Sequence, residues 1–158
     1  MTHRQFVNDG CRTRPRRSAA IAVESAIVLS VFMLLILGML DFGMAVLNRD
    51  NLEAAACRLA RIAIVRGERS EMAAVPWGPQ TTTATANDGT EYAQTVAPIL
   101  ALMPADEVHI ELRWPDESNA VGNRVVAVLS YDHPSLFAGL LGTSTWELRA
   151  VSTMRIQH

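Results

Sequence analysis

Residues 18–47, SAAIAVESAIVLSVFMLLILGMLDFGMAVL, contain only two charged side chains, Glu24 and Asp41, and no proline. A helix over this stretch, at about 1.5 Å per residue, is roughly 45 Å long, more than the ~30 Å hydrocarbon core of a bilayer. One membrane crossing is the natural reading. Arg4, Arg12, Arg14, Arg16 and Arg17 precede the stretch against a single acid, Asp9, whereas residues 48–158 carry an excess of acids. By the positive-inside rule the basic flank stays in the cytoplasm, and everything after Leu47 lies on the far side. A cleaved secretory signal also starts basic and then turns apolar. Here the apolar run is about twice the usual 7–15 residues, Glu24 interrupts it, and no small-x-small cleavage site closes it before Asn48.

The rest of the composition mainly excludes. The chain of 158 residues is one domain's worth, and with 49% hydrophobic and 19% charged residues it is too apolar for a disordered regulator. All 14 basic residues are arginine, so phosphate loops, Schiff bases and Ser-Lys pairs that need lysine are excluded. A formal charge of −2 and a pI near 6.1 leave no electrostatic footprint for nucleic acid. Cys11 and Cys57 are too few for a disulfide scaffold and fall on opposite sides of the membrane, so both read as unpaired.

Past residue 47 the apolar pattern narrows to one side. Leu52, Ala55, Ala56, Leu59, Ile62 and Ala63 recur at helical spacing, with Arg49, Asp50, Glu53, Arg58 and Arg61 between them. The same helix therefore continues to Arg66, where Gly67 is placed to end it. Residues 68–90 have two prolines, a Thr-rich run and an Asn-Asp-Gly turn, and read as an exposed loop. A short helix is expected over residues 91–103, shortened by Pro98. Three strands follow: alternating residues 108–114, the Val-rich residues 124–131, and alternating residues 146–156. The expected fold is α+β and pilin-like, a long N-terminal transmembrane helix running into a small antiparallel sheet whose apolar face the outer half of the helix covers. Its divisions are a basic tail (1–17), a transmembrane helix (18–47), an amphipathic extension (48–66) and an extracytoplasmic α+β domain (67–158).

The residues carry a resemblance. Arg16-Arg17, the small residues after them, Val23-Glu24, the apolar run, the Asp41-Phe42-Gly43 step and the Ala-rich stretch ending in Ala60-Arg61 resemble the N-terminal motif of TadE-like proteins of the tight-adherence (Flp, type IVb) pilus system. Residues 124–131 and 148–156 are more loosely similar to the family's closing strands. The resemblance implies a pseudopilin-type protein of the bacterial inner membrane, partnered by other pilin-like subunits, the assembly platform and a prepilin peptidase, and used in building the pilus. The matching cut lies between Ala19 and Ala20. The sequence departs from the pattern in having Ala where the mature start is usually Gly, and Ser25 where an aromatic usually follows the Glu.

Glu24 stands out physically. A carboxylate one or two turns inside an apolar helix costs roughly 2.5–3.5 kcal/mol on insertion scales and calls for compensation. Two placements supply it: an N-terminal ammonium at Ala20, freed by cleavage and within about a turn, or solvation at the cytoplasmic headgroups. Asp41 reads as a carboxylate at the outer interface. Ala22, Ala26 and Ser30, in line with Ser18, form a small-residue stripe opposite Glu24 through which helices can pack, although such residues are also common in membrane helices. Other signals are declined. Asp41-Phe42-Gly43 lies in a membrane helix without the rest of a kinase, and His3, His109, His133 and His158 fit no zinc spacing. Asp116, Glu117, Ser118 and Asn119 read as a solvated turn, and Glu111 with Arg113 as a surface ion pair. No nucleophile with its base is evident, so neither catalysis nor a cofactor or metal is expected. The alternative function is a membrane-anchored extracytoplasmic ligand-binding or sensory domain unrelated to pili.

Overall fold

The computed structural model describes residues 16–67, 77–135, 142 and 145–157. Most of the basic tail, Cys11, His3, His158, residues 68–76 of the expected loop and the apolar residues 136–141 lie outside them. The elements are α1 (Arg16–Val65), β1 (Thr82–Thr85), α2 (Glu91–Val96), β2 (Val108–Arg113), β3 (Arg124–Pro134) and β4 (Thr145–Arg155). The architecture is the expected α+β one.

The single helix α1 runs through both the apolar stretch and its amphipathic continuation, and two compact units divide within it between Leu37 and Gly38. Its N-terminal unit buries almost nothing: Ile21, Val28 and Phe32 are more than half exposed, as are most of their apolar neighbours. Among the described residues α1 is the one helix long and apolar enough to cross a membrane. Residues 19–40, at ~1.5 Å each, rise roughly 33 Å, close to the thickness of a hydrocarbon core.

From residue 41 onward one face of α1 is buried. Ala45, Leu52, Ala55, Ala56, Leu59, Ala60 and Ala63 are all less than a tenth exposed. Alanine at five of these positions keeps side-chain bulk low along the buried face, while Leu52 and Leu59 fill the space between. The sheet is an antiparallel meander in the order β1-β2-β3-β4, which makes β4 an edge strand. Register sets its two faces. Ala84, Ile110, Leu129 and Ala150 stand in one row across it, and Thr83, Glu111, Val128 and Val151 in the next. The alternation that buries Val108, Ile110, Leu112, Val125, Ala127 and Leu129 puts them in one core with the α1 stripe, together with Trp77, Trp114, Val96 and Leu100. The last carbonyls of α1 find partners in distant chain: Ile64 O accepts from Gln157 N (3.1 Å), and just beyond the helix Arg66 O accepts from Trp77 N (3.0 Å).

One element departs from the sequence reading. The Thr-rich run inside the expected loop forms β1, paired from Thr82↔Leu112 to Thr85↔His109. Four residues are too few to show a period, and threonine's β-branched side chain suits a strand that needs little apolar surface of its own. The turn after it is as expected: Asp88 accepts from Thr85 N (2.5 Å) and Thr85 Oγ1 (2.6 Å), and Gly89 has φ +66°. These bonds to Thr85 hold the exposed Asp88 carboxyl below the usual carboxylate range. Helix α2 is short, as Pro98 predicts; Thr90 caps it by accepting from Ala93 N at 3.3 Å.

Candidate functional site

The residues singled out by sequence lie on the exposed half of α1. Ala19, Ala20, Ala22, Glu24, Ala26 and Ser30 are all helical and exposed. At 100° per residue Ala22, Ala26 and Ser30 share one side and Glu24 takes the opposite one. Ser30 Oγ donates to Ala26 O at 2.8 Å, so the hydroxyl is satisfied by its own helix, as a serine facing hydrocarbon must be. Glu24 lies in a shallow surface groove with Ile21, Ser25, Val28, Leu29 and Phe32. A carboxylate set among apolar side chains, on an apolar surface this extensive, fits a helix that meets lipid or other helices.

A second cluster, which sequence reasoning missed, forms where α1 first meets the sheet domain. Asp41 and Asn48, seven residues apart on the buried face of α1, approach His133 and Ser135 at the end of β3. The side chains of His133 and Asp41 are only 7% and 8% exposed, and Asn48 and Ser135 are also buried. Asn48 Nδ2 lies 3.2 Å from His133 Nδ1, His133 Nε2 lies 3.9 Å from Asp41 Oδ1, and Ser135 Oγ donates to Asp41 Oδ2. Asp41 is therefore not the solvated interfacial carboxylate expected from the sequence. It belongs to the interior of the folded domain, because its helical face is the one that carries Ala45, Asn48 and Leu52. The available signal was the inward alternation of Val125, Ala127, Leu129 and Tyr131, which reaches His133 two residues further on.

Aspartate, histidine and serine together are the residue types of a hydrolase triad, but this geometry is different. The serine hydroxyl is bonded to the carboxylate, and the cluster is closed to solvent. What the arrangement can do is join two elements through polar contacts that tolerate no slippage. Among the described residues no group of three or more His, Cys, Asp or Glu side chains is placed to hold a metal.

The remaining signals resolve into structural contacts. Asp116 accepts from Arg124 N (2.8 Å) and from Arg124 Nη2 (2.7 Å), and the Arg124 guanidinium lowers its pKa to about 2. Glu111 and Arg113 form a two-pronged pair on the outer face, both contacts 2.6 Å, and the guanidinium holds the carboxyl below its usual range. At the end of α1, Arg66 pairs with Glu91 and stacks 4.7 Å over the Trp77 ring, while Trp77 Nε1 donates to Glu91 at 3.3 Å. The Arg66 contact, with a smaller one from Trp77, lowers the Glu91 pKa. Cys57 is a free, exposed thiol 3.7 Å from Ser152 Oγ, and His109 is exposed.

No curated protein and no solved structure matches the chain. Residues 19–61, however, match the family described as TadE-like protein. That segment begins at the exposed alanines, includes Glu24 and Asp41, and ends at Arg61 on the packed half of α1; over it, the chain is similar to that family.

Proposed function

We propose that this protein is a non-catalytic, pseudopilin-like subunit that acts in assembling a tight-adherence (type IVb) pilus or a related secretion apparatus. It spans the bacterial inner membrane once, with its N-terminus in the cytoplasm and residues 67–158 outside. The observation that carries this reading is one uninterrupted helix whose first half is exposed and apolar and whose second half is the core of a sheet domain, with the TadE-like match running through both halves. Such a helix packs with other pilin-like helices and the assembly platform, and the sheet domain presents contacts beyond the membrane.

In this reading a prepilin peptidase cuts between Ala19 and Ala20. The new ammonium at Ala20 then lies within about one turn of Glu24, on the same or a neighbouring subunit. Pairing them offsets the cost of the carboxylate in lipid and sets the axial register between helices. The experiment has two arms. Mass spectrometry of the membrane-extracted protein is expected to find a mature chain beginning at Ala20, and Glu24→Ala is expected to insert normally while lowering piliation. A chain beginning at Met1 or Thr2, with piliation unchanged both in Glu24→Ala and in a deletion strain, overturns the proposal in favour of a membrane-anchored ligand-binding or sensory domain.

A further inference from the structure

Exposed apolar side chains do not stop where the folded domain begins. From Asp41 onward α1 turns one side to the domain through Asp41, Ala45 and Asn48, yet Phe42, Met44, Val46 and Leu47 around the rest of its circumference remain 42–63% exposed. Gly43 is open in the same way, with nothing within 4 Å of where a Cβ would lie. At 100° per residue Gly43 and Leu47 point directly away from the buried stripe. On a domain standing in water an apolar surface of this kind calls for a cover. The next residues on α1, Arg49 and Asp50, are exposed charges.

The same boundary crosses the sheet. Asn48 lies 3.2 Å from His133, and His133 stands opposite Trp146 near the end of the β3–β4 pair. Strand β2 does not reach this level, its pairing with β3 stopping at Val108↔Tyr131. Just above the level every element carries exposed charge: Arg49 and Asp50 on α1, Glu107 before β2, Asp132 on β3 and Glu147 on β4. Below it, over residues 38–48, 133–135, 145 and 146, the only carboxylate or guanidinium is Asp41. Its buried side chain is turned onto Ser135 and His133, away from the apolar surface.

Residues 18–47 rise roughly 45 Å, more than the ~30 Å of hydrocarbon but close to the 40–45 Å of a bilayer counted with its headgroups. The hydrocarbon therefore ends near residue 40, and residues 41–47 cross the headgroup layer. We propose that the end of the domain formed by these turns of α1 and the tips of β3 and β4 is sunk in the headgroup layer of the far leaflet, with Phe42, Met44, Val46 and Leu47 against phospholipid. The proposal rests on the single membrane crossing given under the proposed function. Trp146, half-buried at the boundary, has the amphipathic ring that settles at this depth. Lipid also explains the placement of Asp41. Facing outward, its carboxylate would meet the edge of the hydrocarbon, whereas Ser135 and His133 hold it inside the domain.

The test places nitroxide labels on the full chain in phosphatidylcholine vesicles, one cysteine at a time in a Cys11→Ser, Cys57→Ser background. Gly43→Cys and Leu47→Cys read the submerged rim, Arg61→Cys the exposed helix above it, and Val28→Cys the span. The expected result is that labels at Gly43→Cys, Leu47→Cys and Val28→Cys collide more often with oxygen, which concentrates in lipid, than with a water-soluble nickel chelate, and that the order reverses at Arg61→Cys. A nickel excess at Gly43→Cys and Leu47→Cys, with oxygen still in excess at Val28→Cys, overturns the proposal and leaves the crossing intact. A nickel excess at Val28→Cys as well sinks the crossing and the proposal with it. Labels at Gly43→Cys and Leu47→Cys shielded from both reagents overturn it in favour of another protein chain covering that side of α1.

Discussion

Leu59→Ala tests whether the outer half of α1 is the core of the sheet domain. Leu59 is fully buried in the cluster that joins α1 to the inner faces of β2, β3 and β4. The stripe around it is built from Ala55, Ala56, Ala60 and Ala63, none of which can extend into the space a lost leucine leaves. Poor collapse places the cost toward the upper part of the Leu→Ala range, about 3–5 kcal/mol. A domain of this size has roughly 5–15 kcal/mol in total, so about a fifth or more of its stability is at stake. In urea, with a slope of about 2 kcal/mol per molar, the midpoint falls by roughly 1.5–2.5 M. The assay is equilibrium unfolding of the full chain in detergent, followed by the near-ultraviolet dichroism of Trp77 and Trp114, which share that core. Arg58→Ala, one residue away on the exposed face, serves as the control and is expected to change stability by less than about 0.5 kcal/mol. If Leu59→Ala costs less than about 1 kcal/mol, or no more than Arg58→Ala, the packing of α1 against the sheet described above is wrong.

Two further outcomes follow from contacts at the far end of the domain. Gly78 has φ +92°, and a Cβ there would lie 2.4 Å from Cε2 of the rigid Trp114 indole; Gly78→Ala is therefore expected to cost about 2–4 kcal/mol in the same unfolding assay, and a neutral result refutes the close approach. The Asp116 carboxyl, lowered from 3.8 to about 2 chiefly by its hydrogen bond to Arg124, contributes stability that is complete above pH 3.8 and is lost as pH falls through about 2. Carboxyl NMR on acid titration should find its midpoint well below that of an ordinary aspartate, and Arg124→Gln should return it toward 3.8.

The long helix was legible because its signals are redundant. The apolar run, the missing prolines and the change from all-round to one-sided hydrophobicity all continue through the same register, and β2, β3 and β4 each alternate over six or more residues. β1 was not legible, since TTAT has neither length nor alternation, and its pairing with β2 is a tertiary choice. The cluster of Asp41, Asn48, His133 and Ser135 was hidden for a different reason. Its members are separated by as many as 94 residues, and a lone aspartate near the end of an apolar run looks the same whether it faces headgroups or a folded domain. Only the phase of Asp41 relative to Leu52 and Leu59 distinguishes the two, and that phase becomes decisive once the sheet is known to cover that side. Glu24, by contrast, was conspicuous because only one other charged residue, Asp41, falls within residues 18–47.

Strand β4 closes the meander with an outer edge that has no neighbouring strand among the described residues. Eleven residues of open backbone are an adhesive surface, able to template stray chains as readily as a proper associate. Glu147 carries one sign and Arg149 and Arg155 the other along this strand, so an incoming strand must bring the complementary order of charges or meet repulsion. The stickiest border of the domain is thereby guarded by a short electrostatic password.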